Sequence, residues 1–242
     1  MDKKNINISV CVPVFNEENT LKKAVDDLVL ILTQYVNQLE VIIVDDGSND
    51  LTSQLAEELS LKYHQVKFIR HVKNQGIGSC YHDALAIAQG NYFTWFPSDY
   101  ENSVQELVDC IPFLENKCIV TSHHCDYDSR SKSRCLISHA YTWILNKYFR
   151  MNLKYYNGLA IISTHILRSS PLVAKGFAFS AESIIYAVLA GCKVIELSVP
   201  LRGRTCGKSK AFSVHSLLVM CKDFFCILIE KRNFCFRKSD YE

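Results

Sequence analysis

From Ile8 to Leu114 the chain alternates short, β-rich apolar runs with segments of helical period, and this alternation constrains its fold more than any other feature. A strand that leaves into a helix and returns beside itself builds a mainly parallel, Rossmann-like α/β sheet with helices on its faces. The runs Ile8 to Val14, Val41 to Val44, Val66 to His71, Tyr92 to Phe96 and Cys118 to Ser122 are expected strands. Between them, helices are expected over about Glu18 to Val36, Leu51 to Tyr63, Ile77 to Ala88 and Val104 to Leu114, the last capped by Asn102 or Ser103. A polar stretch, His123 to Arg134, then reads as a surface loop. Helical character resumes over Leu136 to Phe149, with shorter elements around Leu159 to Ser163, Ala181 to Ala190 and Val194 to Ser198.

A chain of 242 residues suits one such domain plus a tail. The expected division is a single domain over 1–210, with a nucleotide half over 1–120 and an acceptor half over 121–210, followed by an amphipathic helical tail over 211–242. Formal net charge is only +2, which gives no polyanion-binding field and argues against nucleic acid as a partner. The 11 cysteines are scattered through apolar periodic stretches with no Cys-x-x-Cys pair, so a disulfide framework is not expected. The N-terminus has no secretory pattern, and a reducing, cytoplasmic setting fits both observations. His215, Lys222 and Asp223 interrupt the apolar run Phe212 to Ile229, which argues against a membrane span. Flanking bases leave two readings of that tail open: an interfacial helix on the cytosolic face of a membrane, or a helix packed on the domain.

The sharpest local motif is Val41-Ile42-Ile43-Val44-Asp45-Asp46-Gly47-Ser48-Asn49-Asp50, an apolar strand ending in two carboxylates and a glycine. Open α/β sheets bind ligands at such carboxyl ends, where a carboxylate can accept from a ribose hydroxyl or a base N–H. The first strand also ends in a polar turn, Cys11-Val12-Pro13-Val14-Phe15-Asn16-Glu17-Glu18. Two neighbouring strands would then share one crevice.

These two turns, at their spacing, resemble the Val-Pro-x-x-Asn-Glu and Val-Asp-Asp-Gly-Ser-x-Asp signatures of the family 2 glycosyltransferases. The resemblance extends over roughly the first 210 residues and implies a GT-A fold and a nucleotide-diphosphate sugar donor, UDP- or GDP-linked. It implies that Pro13, Glu17, Asp45 and Asp46 line the nucleoside site. Arg70-His71-Val72-Lys73-Asn74-Gln75-Gly76-Ile77-Gly78 is similar to the family's Asn-x-Gly-x-Gly turn, where a glycine pair would let backbone approach phosphate and Lys73 would contact the donor.

The family's Asp-x-Asp metal motif is altered. In Thr94-Trp95-Phe96-Pro97-Ser98-Asp99-Tyr100-Glu101, Pro97 takes the place of the first aspartate and Asp99 remains. Asp99 with Glu101 is the expected carboxylate pair for Mg2+ or Mn2+, unless Glu101 only starts the next helix. Phe179-Ser180-Ala181-Glu182 falls where related enzymes place an acid facing the acceptor, which makes Glu182 the candidate base or sugar-binding group.

Arg202-Gly203-Arg204-Thr205-Cys206-Gly207-Lys208-Ser209-Lys210 resembles a stretch found in members that glycosylate polyprenyl phosphates. Arg204 is then expected in catalysis, and Ser209 and Lys210 in binding phosphate or acceptor. His123-His124-Cys125 lacks the ligand spacing of a zinc site. The function implied is an inverting transfer of sugar to a polyprenyl phosphate. A glycan or other soluble hydroxyl acceptor is the alternative, and a non-catalytic nucleotide-sugar binder is a third reading, motivated by Pro97.

Overall fold

The computed structural model describes residues 4–99, 102–114, 118–124, 132–199 and 227. Strands β1 (Lys4–Val14), β2 (Val36–Asp45), β3 (Val66–Arg70) and β4 (Tyr92–Trp95) are joined in turn by helices α1 (Leu21–Leu32), α2 (Thr52–Lys62) and α3 (Ile77–Ile87). After α4 (Val104–Cys110) come β5 (Cys118–His124), α5 (Lys132–Phe149), β6 (Ala160–Ser163), α6 (Thr164–Ser169), α7 (Phe179–Leu189) and β7 (Lys193–Val199).

One seven-stranded sheet results, in the order β3-β2-β1-β4-β6-β5-β7. Strands β1 to β4 pair in parallel, as do β5 and β7, while β6 runs antiparallel to both β4 and β5. The chain moves from β1 outward through β2 to β3 and then returns to place β4 on the other side of β1. That reversal makes the carboxyl ends of β1 and β4 a topological switch point, the position where open α/β sheets leave a crevice.

Period-two burial explains why helices cover both faces. Along β1, Ile8, Val10, Val12 and Val14 join α1, α2 and α4 in one core, whereas Cys11 faces a second core with α3, α5, α6 and α7. Strand β2 divides in the same way, with Val41 and Ile43 in the first core and Ile42 and Val44 in the second. Ile227, the only described residue of the expected tail, is helical and buried in the second core.

The structure departs from the expected boundaries in several places, among them the expected loop His123 to Arg134, whose first two residues end β5 and whose last three, Lys132 to Arg134, begin α5. Helix α1 begins at Leu21 because Asn16 adopts φ 56° and the segment up to Thr20 is a turn. Strand β2 begins at Val36, since Val36 and Gln38 to Glu40 pair with the start of β1 although Asn37 and Gln38 face solvent. The short helix α6 follows β6 without a connecting loop, which leaves no composition signal between them.

Candidate active site

The polar turns that end β1 and β2 are laced into one unit. Asn16 donates its backbone N–H to Ser48 Oγ at 2.9 Å and accepts the Asn49 amide on its own side chain at 2.9 Å. The Glu17 amide donates to Thr52 Oγ1 at 2.8 Å, and Glu18 Oε2 accepts from the Leu51 amide at 3.0 Å. Gly47 is required in this corner by its φ of +78°, and by the Lys73 backbone, which a Cβ at Gly47 would meet at 2.8 Å.

Asp45 and Asp46, expected to contact ribose or base, are buried and engaged in the turns at this end of the sheet. Asp45 is 0% exposed, and Asp46 only 4%. Asp45 Oδ1 accepts the Ser48 amide at 2.9 Å, and its other oxygen accepts from the Ser53 hydroxyl. Asp46 accepts the amides of Gln75 and Gly76 at 2.8 and 2.9 Å and pairs with His71 Nδ1 at 2.8 Å. Acceptors that are buried and already paired have little left to offer a ligand. Asp46 fixes the turn Lys73 to Gly76, and Asp45 ties the turn at Ser48 to the first turn of α2.

His71, which sequence reasoning passed over, is the hub of that turn. Its Nε2 lies 2.9 Å from Asp83 Oδ2 on α3. Burial alone would lower the imidazole pKa, but the hydrogen bonds to Asp46 and Asp83 outweigh it and raise the pKa above its ordinary value. No sequence signal links positions 46, 71 and 83, because only the fold brings them together. Cys80 adds a third donor atom within 4.8 Å of those of Asp46 and His71. Burial pushes that thiol well up, so it stays protonated, and Asp46 and His71 are already engaged with each other. This trio therefore acts as a brace within the turn.

The glycine pair of the same turn admits protein backbone. Gly78 donates its amide to the carbonyl of Lys175 at 2.9 Å. A Cβ on Gly78 would meet Ala174 O at 2.2 Å, and one on Gly76 would meet Lys175 O at 2.4 Å. The expectation that these glycines make room for a phosphate is corrected accordingly: the space is taken by the segment before α7.

Glu182 holds that segment. It is 0% exposed, and its two oxygens accept the amides of Val173 and Ala174 at 2.9 and 3.0 Å. It does not sit on a helix surface, and in this arrangement its carboxylate positions the segment before α7. The reason is local: with Glu182 in the first turn of α7, its carboxylate reaches back to otherwise unpaired amides just upstream.

At the carboxyl ends of the strands lie half-buried Pro13 in the last residues of β1 and half-buried Glu17 just after it, half-buried Asp99 after β4, and exposed Lys73 after β3. Because β3, β2, β1 and β4 are parallel neighbours, these residues share one edge of the sheet, about 14 Å across three strand spacings. Phe96 donates its amide to Cys11 O at 2.8 Å, which keeps the turn carrying Asp99 alongside β1. Asp99 offers hard carboxylate oxygens to that edge, chemistry suited to a divalent cation such as Mg2+ or Mn2+. Glu101, Arg204, Ser209 and Lys210 lie outside the described residues.

Comparison with known proteins agrees with this geometry. An uncharacterized glycosyltransferase of Rickettsia typhi is 29% identical over 124 residues, covering 50% of this chain and 36% of that protein. The dolichyl-phosphate beta-glucosyltransferase of Saccharomyces cerevisiae is 29% identical over 123 residues, covering 47% of this chain and 37% of that protein. The chain thus spans little more than a third of the length of either relative. Glucosyl-3-phosphoglycerate synthase from Mycobacterium tuberculosis, solved with Mn2+, uridine diphosphate and glucosyl-3-phosphoglycerate, superposes with a TM-score of 0.68 at 18% identity, covering 92% of this chain and 80% of that one. At that identity the likeness establishes the shared GT-A fold. Residues 9–176 match the model of glycosyl transferase family 2, which is most of the sheet and both laced turns. The chain belongs to glycosyl transferase family 2.

Proposed function

We propose that this chain transfers a sugar, with inversion, from a nucleotide-diphosphate donor to a polyprenyl phosphate. The observation that carries the reading is the crevice at the β1 and β4 switch point, with Pro13, Glu17, Asp99 and Lys73 on one edge in a family 2 chain. The nucleoside would lie over Pro13 and Glu17, and the diphosphate between Asp99 and Lys73. A divalent cation held by Asp99, with Glu101 as a second ligand, would supply Lewis-acid neutralisation of the diphosphate. Arg204, Ser209 and Lys210 are proposed to bind the anionic groups of donor and acceptor.

In the reaction an acceptor phosphate oxygen forms the new bond to the anomeric carbon while the bond from that carbon to the diphosphate oxygen breaks. The nucleoside diphosphate leaves from the opposite face. Glu182 bears on the choice of acceptor. A hydroxyl must lose a proton to a base, and the carboxylate expected for that task is buried against two backbone amides. A polyprenyl phosphate is already anionic and needs no base. The yeast relative named for dolichyl phosphate supports the same acceptor class. Such an acceptor would place the protein at the cytosolic face of a membrane.

A soluble hydroxyl acceptor is the second reading, favoured by the phosphoglycerate named for the mycobacterial neighbour. Incubating the purified chain with labelled UDP- and GDP-sugars, Mn2+ or Mg2+, and short-chain polyprenyl phosphate decides between them. A labelled lipid-phosphate product is expected, and its absence across donors would overturn the polyprenyl reading. Metal-dependent donor hydrolysis that disappears in Asp99→Ala would exclude a purely binding role.

A further inference from the structure

Helix α5 is apolar on two opposite sides. Leu145 and Phe149 face the second core and are 0% and 5% exposed. On the other side Leu136, Ile137, Trp143, Ile144 and Tyr148 reach solvent, with Leu136 71% and Trp143 61% exposed. At 100° per residue these five fall within an arc of about 140°, where a helix bathed in water carries charge.

The charge that the helix and the segment after it carry has one sign. From Ser129 to Ala181 the sequence contains no aspartate or glutamate, while Lys147, Arg150 and Lys154 are exposed at the C-terminal end of the helix and just beyond it. Lys147 falls within the same arc, near its C-terminal end, and its ammonium sits 5.0 Å over the Trp143 ring. Trp and Tyr with polar tips, aliphatic residues between them, and long basic side chains that can carry their charge up to headgroup level match the layering of a lipid interface, apolar below and anionic at headgroup level. No helix among the described residues is long and apolar enough to cross a membrane.

We propose that α5 docks this protein on an anionic lipid bilayer, its outer apolar face lying along the boundary between headgroups and acyl chains. The purpose of such docking rests on the lipid-borne acceptor proposed above, but the contact itself requires neither donor nor acceptor.

Flotation of the full chain with vesicles of phosphatidylcholine, alone or mixed with phosphatidylglycerol, tests the contact. The wild type is expected to float with the mixed vesicles, with tryptophan emission shifted to the blue. The variant Leu136→Gln/Trp143→Gln/Ile144→Gln is expected to lose bound fraction by about tenfold or more, with an unchanged circular-dichroism melt because all three side chains are exposed. Absence of wild-type flotation would overturn the proposal. Equal flotation of the variant would do the same, since the contact would then lie elsewhere, as in the tail. A wild-type dimer that the variant converts to monomer would assign the face to a second copy instead. Both proteins are also assayed with a water-soluble short-chain polyprenyl phosphate. Flotation without transfer to that acceptor supports the docking and counts against the acceptor reading alone.

Discussion

His71 and Asp46 hold one turn from two sides: the imidazole Nδ1 lies 2.8 Å from the carboxylate that also receives the Gln75 and Gly76 amides. Removing the imidazole leaves a buried carboxylate without its counter-charge, and such losses cost about 2–4 kcal/mol. His71→Ala is therefore expected to lower stability by that amount in urea unfolding and to weaken nucleotide binding in calorimetry. Unchanged unfolding would show that the turn does not depend on this pair.

The same pair predicts a pH dependence. The folded imidazole pKa is raised above the ordinary 6.5 because Asp46 and Asp83 outweigh the effect of burial. A group whose pKa is raised on folding adds stability in full below its unfolded value and loses it as pH climbs through the folded value. The melting temperature of the wild type should therefore fall on the alkaline side of 6.5, and His71→Gln should flatten that part of the profile. A variant profile parallel to the wild type would assign the decline to other groups.

Glu182→Gln separates a positional role from a chemical one. The substitution turns one acceptor into an NH2 facing a backbone N–H, so a loss of about 1–3 kcal/mol is expected. Melting temperature and donor affinity should fall together. If Glu182 were the proton acceptor, turnover would fall steeply at an unchanged melting temperature, and that outcome would reverse the assignment made from its burial.

Gly78→Ala places a Cβ 2.2 Å from the Ala174 carbonyl oxygen, closer than any packed contact. The segment before α7 must move, at a cost of about 1–3 kcal/mol. Because that segment caps the turn held by Asp46, donor binding should weaken as well. Hydrogen exchange at the Gly78 amide, now bonded to Lys175 O, should accelerate in the variant. Unaltered exchange would mean that the segment accommodates the methyl group.

The sheet was legible because period two and period 3.6 alternate cleanly, and the apolar run into Asp45 marks a buried strand without help from its neighbours. Asn37 and Gln38 hid the first half of β2 because polarity at a solvent-facing edge outweighs pairing in a one-dimensional reading. The Asp45-Asp46-Gly47-Ser48 motif located the crevice, yet residue type alone could not tell an acceptor offered to a ligand from one spent on the turn below it. How deeply these carboxylates and that of Glu182 are buried is visible only in the fold. His71 with Asp83 is a long-range pairing, and no local pattern encodes it.

Strand β6 comes from the later part of the chain but is inserted between β4 and β5, where Thr164 Oγ1 also reaches the Gly90 carbonyl at 2.6 Å. Arg168 on the following helix spans the end of α3, donating to the carbonyls of Leu85 and Ala88 at 2.8 and 2.6 Å. The early strands therefore cannot be excised as a free-standing nucleotide module. A fragment stopping near residue 120 would expose the bare edge of β4 and leave the last turn of α3 unclamped, inviting aggregation by strand pairing. Swapping acceptor specificity between relatives by joining halves at that seam would break the sheet, so grafts are better confined to loops at its carboxyl edge.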